Sequence, residues 1–388
     1  MKNPRGAWRM LVGAVLLQFA VVGLVINAFS VYLPYLLKQC GLSNTQNASV
    51  VMIRTGAALV TLLFVGKIYE KLELRKGITL SVVLAVISLW IYAGAKSFWL
   101  LGAAAIVSGM AYGMGGMYAV SLLIHRWFRV HEALALGICT ATTGLATVIG
   151  APVATALVEF GSVPSALRIE SAFIALCALG CCLLIRNYPA DQPIQPMQKR
   201  RERTRVRFQS MHIAAAFIGL AGNTSFQFLA LHFTTQGFAA FQVSTLVSVA
   251  GLSLMASKFL FGEAVDHWGA YRSNWLFFGS CAIGMALCCM ANSFAVAVAA
   301  VIILGLGLAF ATIGLTVYAE DLSAPEEFSA MVRQLQISYM VGGMLSGPVP
   351  GILADWSGSY VLFYVLATLT CIAAMLIIQW NYRKKGVQ

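Results

Sequence analysis

Apolar residues run along this chain in blocks of about twenty or more, long enough at 1.5 Å per residue to cross a hydrocarbon layer of about 30 Å. The blocks occupy residues 8–33, 47–66, 77–95, 98–123, 132–158, 168–187, 211–233, 241–261, 273–291, 294–318, 332–352 and 359–380. They predict an all-α membrane protein with twelve transmembrane helices. The run Gly342-Gly343-Met344-Leu345-Ser346-Gly347-Pro348-Val349-Pro350 predicts an irregular helix lined by protein, because lipid offers no partners to a broken backbone.

Composition sharpens that picture. Hydrophobic residues make up 60% of the 388 and charged residues 10%, with a mean hydropathy of +0.81. A soluble domain normally carries about a quarter of its residues as charges, so no sizeable soluble domain fits beside the helices. The net charge of +12 is unevenly spread along the chain. With the N-terminus inside, twenty-one Lys and Arg fall on the cytoplasmic side and three, Lys38, Lys96 and Arg168, outside. That bias predicts a multi-pass plasma-membrane (cell inner membrane) protein with both termini cytoplasmic. Residues 189–210 combine proline with Lys199, Arg200, Arg201, Arg203, Arg205 and Arg207, and read as a cytoplasmic linker. It would join two pseudosymmetric six-helix bundles, 1–188 and 211–388. Such basic loops suit the anionic headgroups of the bilayer rather than nucleic acid.

The first apolar segment exceeds the hydrophobic region of a signal peptide and lacks a convincing cleavage site, so it is expected to stay in the protein. The nine cysteines lie mostly in apolar segments without the His/Cys spacing of a zinc site, and read as small buried hydrophobes. No Gly-rich loop with Lys and Ser/Thr offers a nucleotide site, and no His/Asp/Glu cluster offers acid–base or metal chemistry. An enzyme, a metal and a cofactor are therefore not expected, and a single copy is expected to suffice for function.

One device occurs twice. Gly66, Glu70 and Arg75 follow the second segment, and Gly262, Asp266 and Arg272 follow the eighth: a glycine, an acid four residues on, then a cation. The glycine would let helices approach and the acid would cap a neighbouring helix or pair with a cation, so both loops are candidate gating elements. The loops resemble the glycine–acid–basic signature of the major facilitator superfamily. In the first copy Glu70 stands for the usual Asp, and Leu74 replaces the expected glycine. Tyr118, Arg126-Trp127-Phe128, Ala133, Ala135 to Ile138, Gly144 and Ala151-Pro152, with Gly347-Pro348, Gly351, Asp355 and Ser357 to Tyr360, resemble the monocarboxylate and oxalate/formate branch. The usual Gly-Trp-Arg after helix five is absent. The resemblance implies alternating-access transport of small organic anions. Helix eleven holds no lysine to match a second carboxylate, so a monocarboxylate or a larger anion is expected in preference to oxalate.

Two cations fall inside helices. Arg54 lies twelve residues before Gly66, about 18 Å from that loop, and a charge at such depth is costly unless it faces protein, water or a partner. Lys258 lies one turn before Gly262, where carboxylate transporters carry a substrate-linked arginine, so the resemblance implies an anion contact. Asn27, Tyr32, Tyr35, Tyr118, Asn223, Gln227, Gln336 and Tyr339 could complete the cavity as hydrogen-bonding groups. Mid-membrane carboxylates are read as missing, with His232 and Glu132 near segment ends, which leaves antiport or symport with a substrate-borne proton. The rivals are an exporter of neutral or hydrophobic compounds and a non-transporting membrane sensor.

Overall fold

The computed structural model describes residues 4, 6–128, 132–188, 210–311, 313–324 and 327–386, and only the backbone of Glu132, Ala133, Asn223 and residues 328–330. The linker arginines lie outside the described residues. The chain is an all-α, multi-spanning membrane protein. Its helices are α1 (Ala7–Cys40), α2 (Asn44–Leu72), α3 (Leu74–Gly94), α4 (Phe98–Trp127), α5 (Glu132–Glu159), α6 (Val163–Leu184), α7 (Ser210–Gln227), α8 (Leu229–Thr235), α9 (Ala240–Cys289), α10 (Phe294–Ala311), α11 (Gly314–Leu322), α12 (Met331–Ser357) and α13 (Val361–Lys385). Among the described residues ten helices are long and apolar enough to cross a membrane, or eleven when α7 and α8, bent by 57°, form one span. The 50 residues of α9 are interrupted at Gly269, whose backbone (φ 76°, ψ 158°) is not helical.

Two compact units emerge, Met1–Gly41 with Ile53–Arg201, and Leu42–Met52 with Glu202–Gln388. In the first, α3 packs on α4 and α6, and α1 on α5. In the second, the two parts of α9 pack on α10 and α13, and α7 on α12. Lipid-side apolar residues such as Leu63, Trp90, Leu176 and Leu369 stay exposed on the protein, as expected where the surrounding solvent is hydrocarbon.

The two units share a backbone plan displaced by 196 residues. A π-helical segment interrupts α1 at Gln18–Asn27 and α7 at Gly219–Asn223, and the sequence reads Gly23-Leu24 to Asn27 and Gly219-Leu220 to Asn223. Gly41 and Gly237 both take positive φ. Ser97 caps α4 and Ser293 caps α10, each hydroxyl accepting the amide three residues on. A Cβ on Gly109 would strike the Arg54 carbonyl, and one on Gly305 the Ala250 carbonyl, so each fourth helix of a unit crosses its second at a glycine.

The same displacement revises one sequence reading. Gly269 corresponds to Glu73, which has the same backbone (φ 62°, ψ 157°), and not to Leu74, the buried first residue of α3. Glu73 therefore occupies the turn's glycine position.

Candidate functional site

The midsection of α1 departs from α-helical geometry twice, through the π segment and then a 3-10 turn at Ala28–Tyr32. Such irregularity re-aims side chains, and it concentrates at functional sites. Here it directs Phe29 and Tyr32 into the first unit, both almost fully buried. Phe29 packs on Tyr92 with centroids 4.6 Å apart and on Tyr32 at 5.7 Å.

Arg54 joins this cluster from α2, 3% exposed, its guanidinium carbon 5.6 Å from the Phe29 ring centroid. The phenols of Tyr92 and Tyr112 lie within electrostatic range of it. The buried Tyr92 hydroxyl has no hydrogen-bond partner among the described residues. An aromatic face stabilises a desolvated guanidinium by about 1–2 kcal/mol, which offsets only part of the cost of burying the charge.

Tyr32 reaches the other way and donates to Glu170 Oε2 at 2.7 Å. Glu170 is the group that sequence reasoning missed. The sixth apolar block starts at Arg168, which leaves Glu170 at its edge, but α6 begins at Val163, five residues earlier. Glu170 thus lies about 10 Å into the helix rather than at its mouth. Ser162 and Pro164 are the available signal, an N-cap and a first-turn proline that together start a helix. Phe29 and Tyr92 carry no signal, being aromatics inside apolar runs.

The remaining expected groups divide by place. Tyr35 donates to Glu159 Oε1 at 2.8 Å near the ends of α1 and α5, away from Arg54 along its helix. Asn27 is half-buried where the π and 3-10 segments meet. Tyr118 is 39% exposed, stacks on Tyr69 at 6.3 Å and puts its hydroxyl beside Gly66. It belongs with the loop rather than with Arg54. In the second unit Gln227 is buried on α7, Lys258 half-buried on α9, and Gln336 and Tyr339 half-buried on α12. The side chain of Asn223 lies outside the described residues.

At the loops the fastening runs through helix ends. Arg75 donates to the Cys182 carbonyl from Nε and Nη2 at 3.0 and 2.6 Å, and its amide donates to Asn187 Oδ1 at 2.8 Å. A cation at the carbonyl end of α6 meets the negative end of the helix dipole. Arg9 adds a bond to the Leu183 carbonyl at 2.7 Å, and Trp127 one to the Arg186 carbonyl at 3.2 Å. In the second unit Tyr271 takes the corresponding position, its carbonyl accepting from Gln379 at 2.8 Å and its hydroxyl from Arg383 at 3.0 Å. Each turn is thus held to the last helix of its own unit. Glu70 is exposed, Asp266 and Arg272 lie in the matching turn, and a Cβ at Gly262 would meet nothing within 4 Å among the described residues. The close helix approach expected of the loop glycines is made instead at Gly109 and Gly305.

The family profile described as Major Facilitator Superfamily matches residues 15–332 and 211–387. The chain belongs to the Major Facilitator Superfamily. Within it, the MFS-type transporter YhhS of Salmonella typhimurium (strain LT2) is 25% identical over 220 residues, and so is its counterpart in Salmonella typhi. The match covers 55% of this chain and 52% of that relative, so the chain spans about half the length of the curated relatives it matches. Among solved structures, a single-residue mutant of the nucleoside transporter NupG superposes with a TM-score of 0.80 at 13% identity, over 96% of this chain and 100% of that one. A bacterial homologue of the human lysosomal transporter Spinster gives 0.74 at 15% identity, over 98% of each. At those identities the likeness concerns the fold.

Proposed function

We propose that this protein is a secondary active transporter of small organic anions, carboxylates above all, working by alternating access as an antiporter or a proton-linked symporter. Counting α7 with α8 as one span and dividing α9 at Gly269, the reading takes twelve spans in two six-helix bundles, 1–188 and 211–388, joined by the linker. It places the chain in the plasma membrane as a monomer, with both termini cytoplasmic, on the charge bias of the loops.

The observation that carries the reading is Arg54, a cation at membrane depth set among Phe29, Tyr92 and Tyr112. A carboxylate arriving there would exchange water for charge-assisted hydrogen bonds from a guanidinium and phenols, an arrangement that favours a planar anion. Lys258 would supply the second charge, with Gln227, Gln336 and Tyr339 as orienting groups and Asn27 and Asn223 at the two helix irregularities. The turns at Gly66, Glu70 and Arg75 and at Gly262, Asp266 and Arg272 would govern the switch between states. The Tyr32–Glu170 pair favours proton linkage, since a carboxyl group at that depth is a natural proton carrier.

Uptake into proteoliposomes tests this, using labelled formate, lactate, pyruvate, oxalate and longer dicarboxylates, with and without internal anion. Saturable uptake lost in Lys258→Ala and Arg54→Ala supports the anion, and dependence on internal anion marks exchange. The aromatic setting of Arg54 favours one second reading, transport of a neutral solute, so a nucleoside and a hydrophobic dye belong in the panel. Flux of those alone would replace the anion assignment.

A further inference from the structure

The described part of the second unit has an open cavity of about 570 Å³ at its basic end, lined by Ser210 and Met211 of α7, Leu322 of α11, and Trp380, Asn381, Lys384 and Lys385 of α13. Its depth follows from α13 itself. From Val361 to Trp380 that helix is apolar and rises about 29 Å, the thickness of a hydrocarbon layer. Trp380, 55% exposed, therefore stands at the boundary where indole rings collect. Lys384 and Lys385 lie one turn further, at the level of lipid phosphates.

We infer that this cavity binds the phosphate of an anionic glycerophospholipid. The lining is divided as that ligand is divided. Met211, Leu322 and the Trp380 ring offer apolar wall toward the membrane, and the ammonium groups stand at the rim. The Lys384 ammonium lies 5.5 Å from the Trp380 ring centroid, which holds the charge over the opening. Lys385 donates to the Asp321 carbonyl at 3.3 Å, its one hydrogen bond among the described residues, which leaves two of its protons toward the cavity. Ser210 donates to Asn381 Oδ1 at 3.1 Å, placing a hydroxyl and an amide on the same wall.

Among the described residues no acid lines the cavity. The carboxylate of Asp321, beside it in sequence to Leu322, accepts the Tyr382 hydroxyl at 2.7 Å, and Arg383 is directed to the Tyr271 hydroxyl. The volume falls within the range of about 300–1,000 Å³ usual for small-ligand sites, which suits a headgroup with its glycerol and not a protein segment.

Native mass spectrometry of the full chain in neutral detergent tests the site, with phosphatidylglycerol and phosphatidylcholine of identical acyl chains as probes. The wild type should retain phosphatidylglycerol preferentially. Removing both ammonium groups in Lys384→Ala/Lys385→Ala should lower that preference roughly tenfold to thirtyfold. Lys384→Arg/Lys385→Arg should keep it, and Lys67→Ala/Lys71→Ala, an equal loss of charge on the exposed end of α2, should leave it unchanged. Lys384→Gln/Lys385→Gln gives the same reading should the alanine pair not fold. Unchanged preference in the Lys384/Lys385 variants overturns the site, and an equal loss in Lys67→Ala/Lys71→Ala overturns it in favour of a diffuse field. Displacement of the lipid by millimolar inorganic phosphate overturns the lipid as ligand and leaves a phosphate site.

Discussion

Glu73 holds a backbone conformation that belongs to glycine, and replacing it separates backbone strain from side-chain contacts. Its φ of 62° with ψ of 157° lies in a region that only glycine occupies freely, at a cost of about 1–3 kcal/mol for any other residue. Against that, the Glu73 carboxylate accepts from Asn187 Nδ2 at 2.9 Å and stands 3.8 Å from Lys76, with both members of that ion pair mostly exposed. Solvent reduces the ion pair to about 0–0.5 kcal/mol and the hydrogen bond to about 0.5–1. Glu73→Gly and Glu73→Ala lose those contacts alike, so they differ only in the backbone. Glycine gains the strain relief and loses about 0.5–1 kcal/mol to the greater freedom of its unfolded chain. The glycine variant should therefore be more stable than the alanine variant by about 1 kcal/mol, near the middle of a range of about 0–2.5, a rise of roughly 2 °C in unfolding temperature. The nine cysteines, all free, six buried and three half-buried, give the assay, because a thiol-reactive dye reports their exposure on heating. Gly269→Ala is the reciprocal, since a Cβ there meets nothing within 4 Å among the described residues and only the backbone resists it. A Glu73→Ala protein that melts with or above Glu73→Gly refutes the assignment of this turn.

Other outcomes follow from the same geometry. Gly109→Ala and Gly305→Ala press a methyl group against the carbonyls of Arg54 and Ala250, and each should lower stability by about 1–3 kcal/mol in the dye assay, whereas Gly262→Ala should lie within about 0.5. Glu170→Gln should abolish the response of uptake to an imposed pH gradient while leaving substrate exchange across equal pH, and a full response in that variant removes Glu170 from coupling. Tyr32→Phe keeps the ring packing and deletes one bond to Glu170, so it should shift the pH profile of uptake without lowering thermal stability by more than about 1 kcal/mol. Arg54→Lys keeps charge and loses the planar fork, so carboxylate uptake should persist with KM raised by about tenfold, and an unchanged KM would place the anion elsewhere.

Much of the fold was legible because its physics is one-dimensional. A block of apolar residues near α2 or α6 must become a helix whatever surrounds it, since lipid satisfies no backbone group. Boundaries are harder: the seventh block conceals the bend at Phe228 between α7 and α8. That sequence remains apolar across the bend. The π segment of α1 is equally silent, as its residues have ordinary helix formers on either side. Arg54 stands out because a lone charge in an apolar block is conspicuous, but its surroundings do not. Phe29 and Tyr92 meet it through tertiary packing alone.

The 196-residue displacement separates what is repeated from what is not. Repeated are positions where backbone is the issue: Gly23 and Gly219 at close approaches, Gly41 and Gly237 at positive φ, Ser97 and Ser293 at helix starts, Glu73 and Gly269 at the turns. Three charges are not repeated, although the acids Glu70 and Asp266 and the cations Lys76 and Arg272 are. Arg54 corresponds to Ala250, Lys258 to Leu62, and Glu170 to Leu366. A duplicated backbone preserves the features that let helices cross and turn, because altering one costs folding energy in either unit. Side chains whose surroundings differ between the units carry no such constraint, so one unit can hold an arginine and an acid where the other holds apolar residues. Under the proposed function, Arg54, Lys258 and Glu170, drawn unequally from two equivalent frames, would hold a substrate in one orientation.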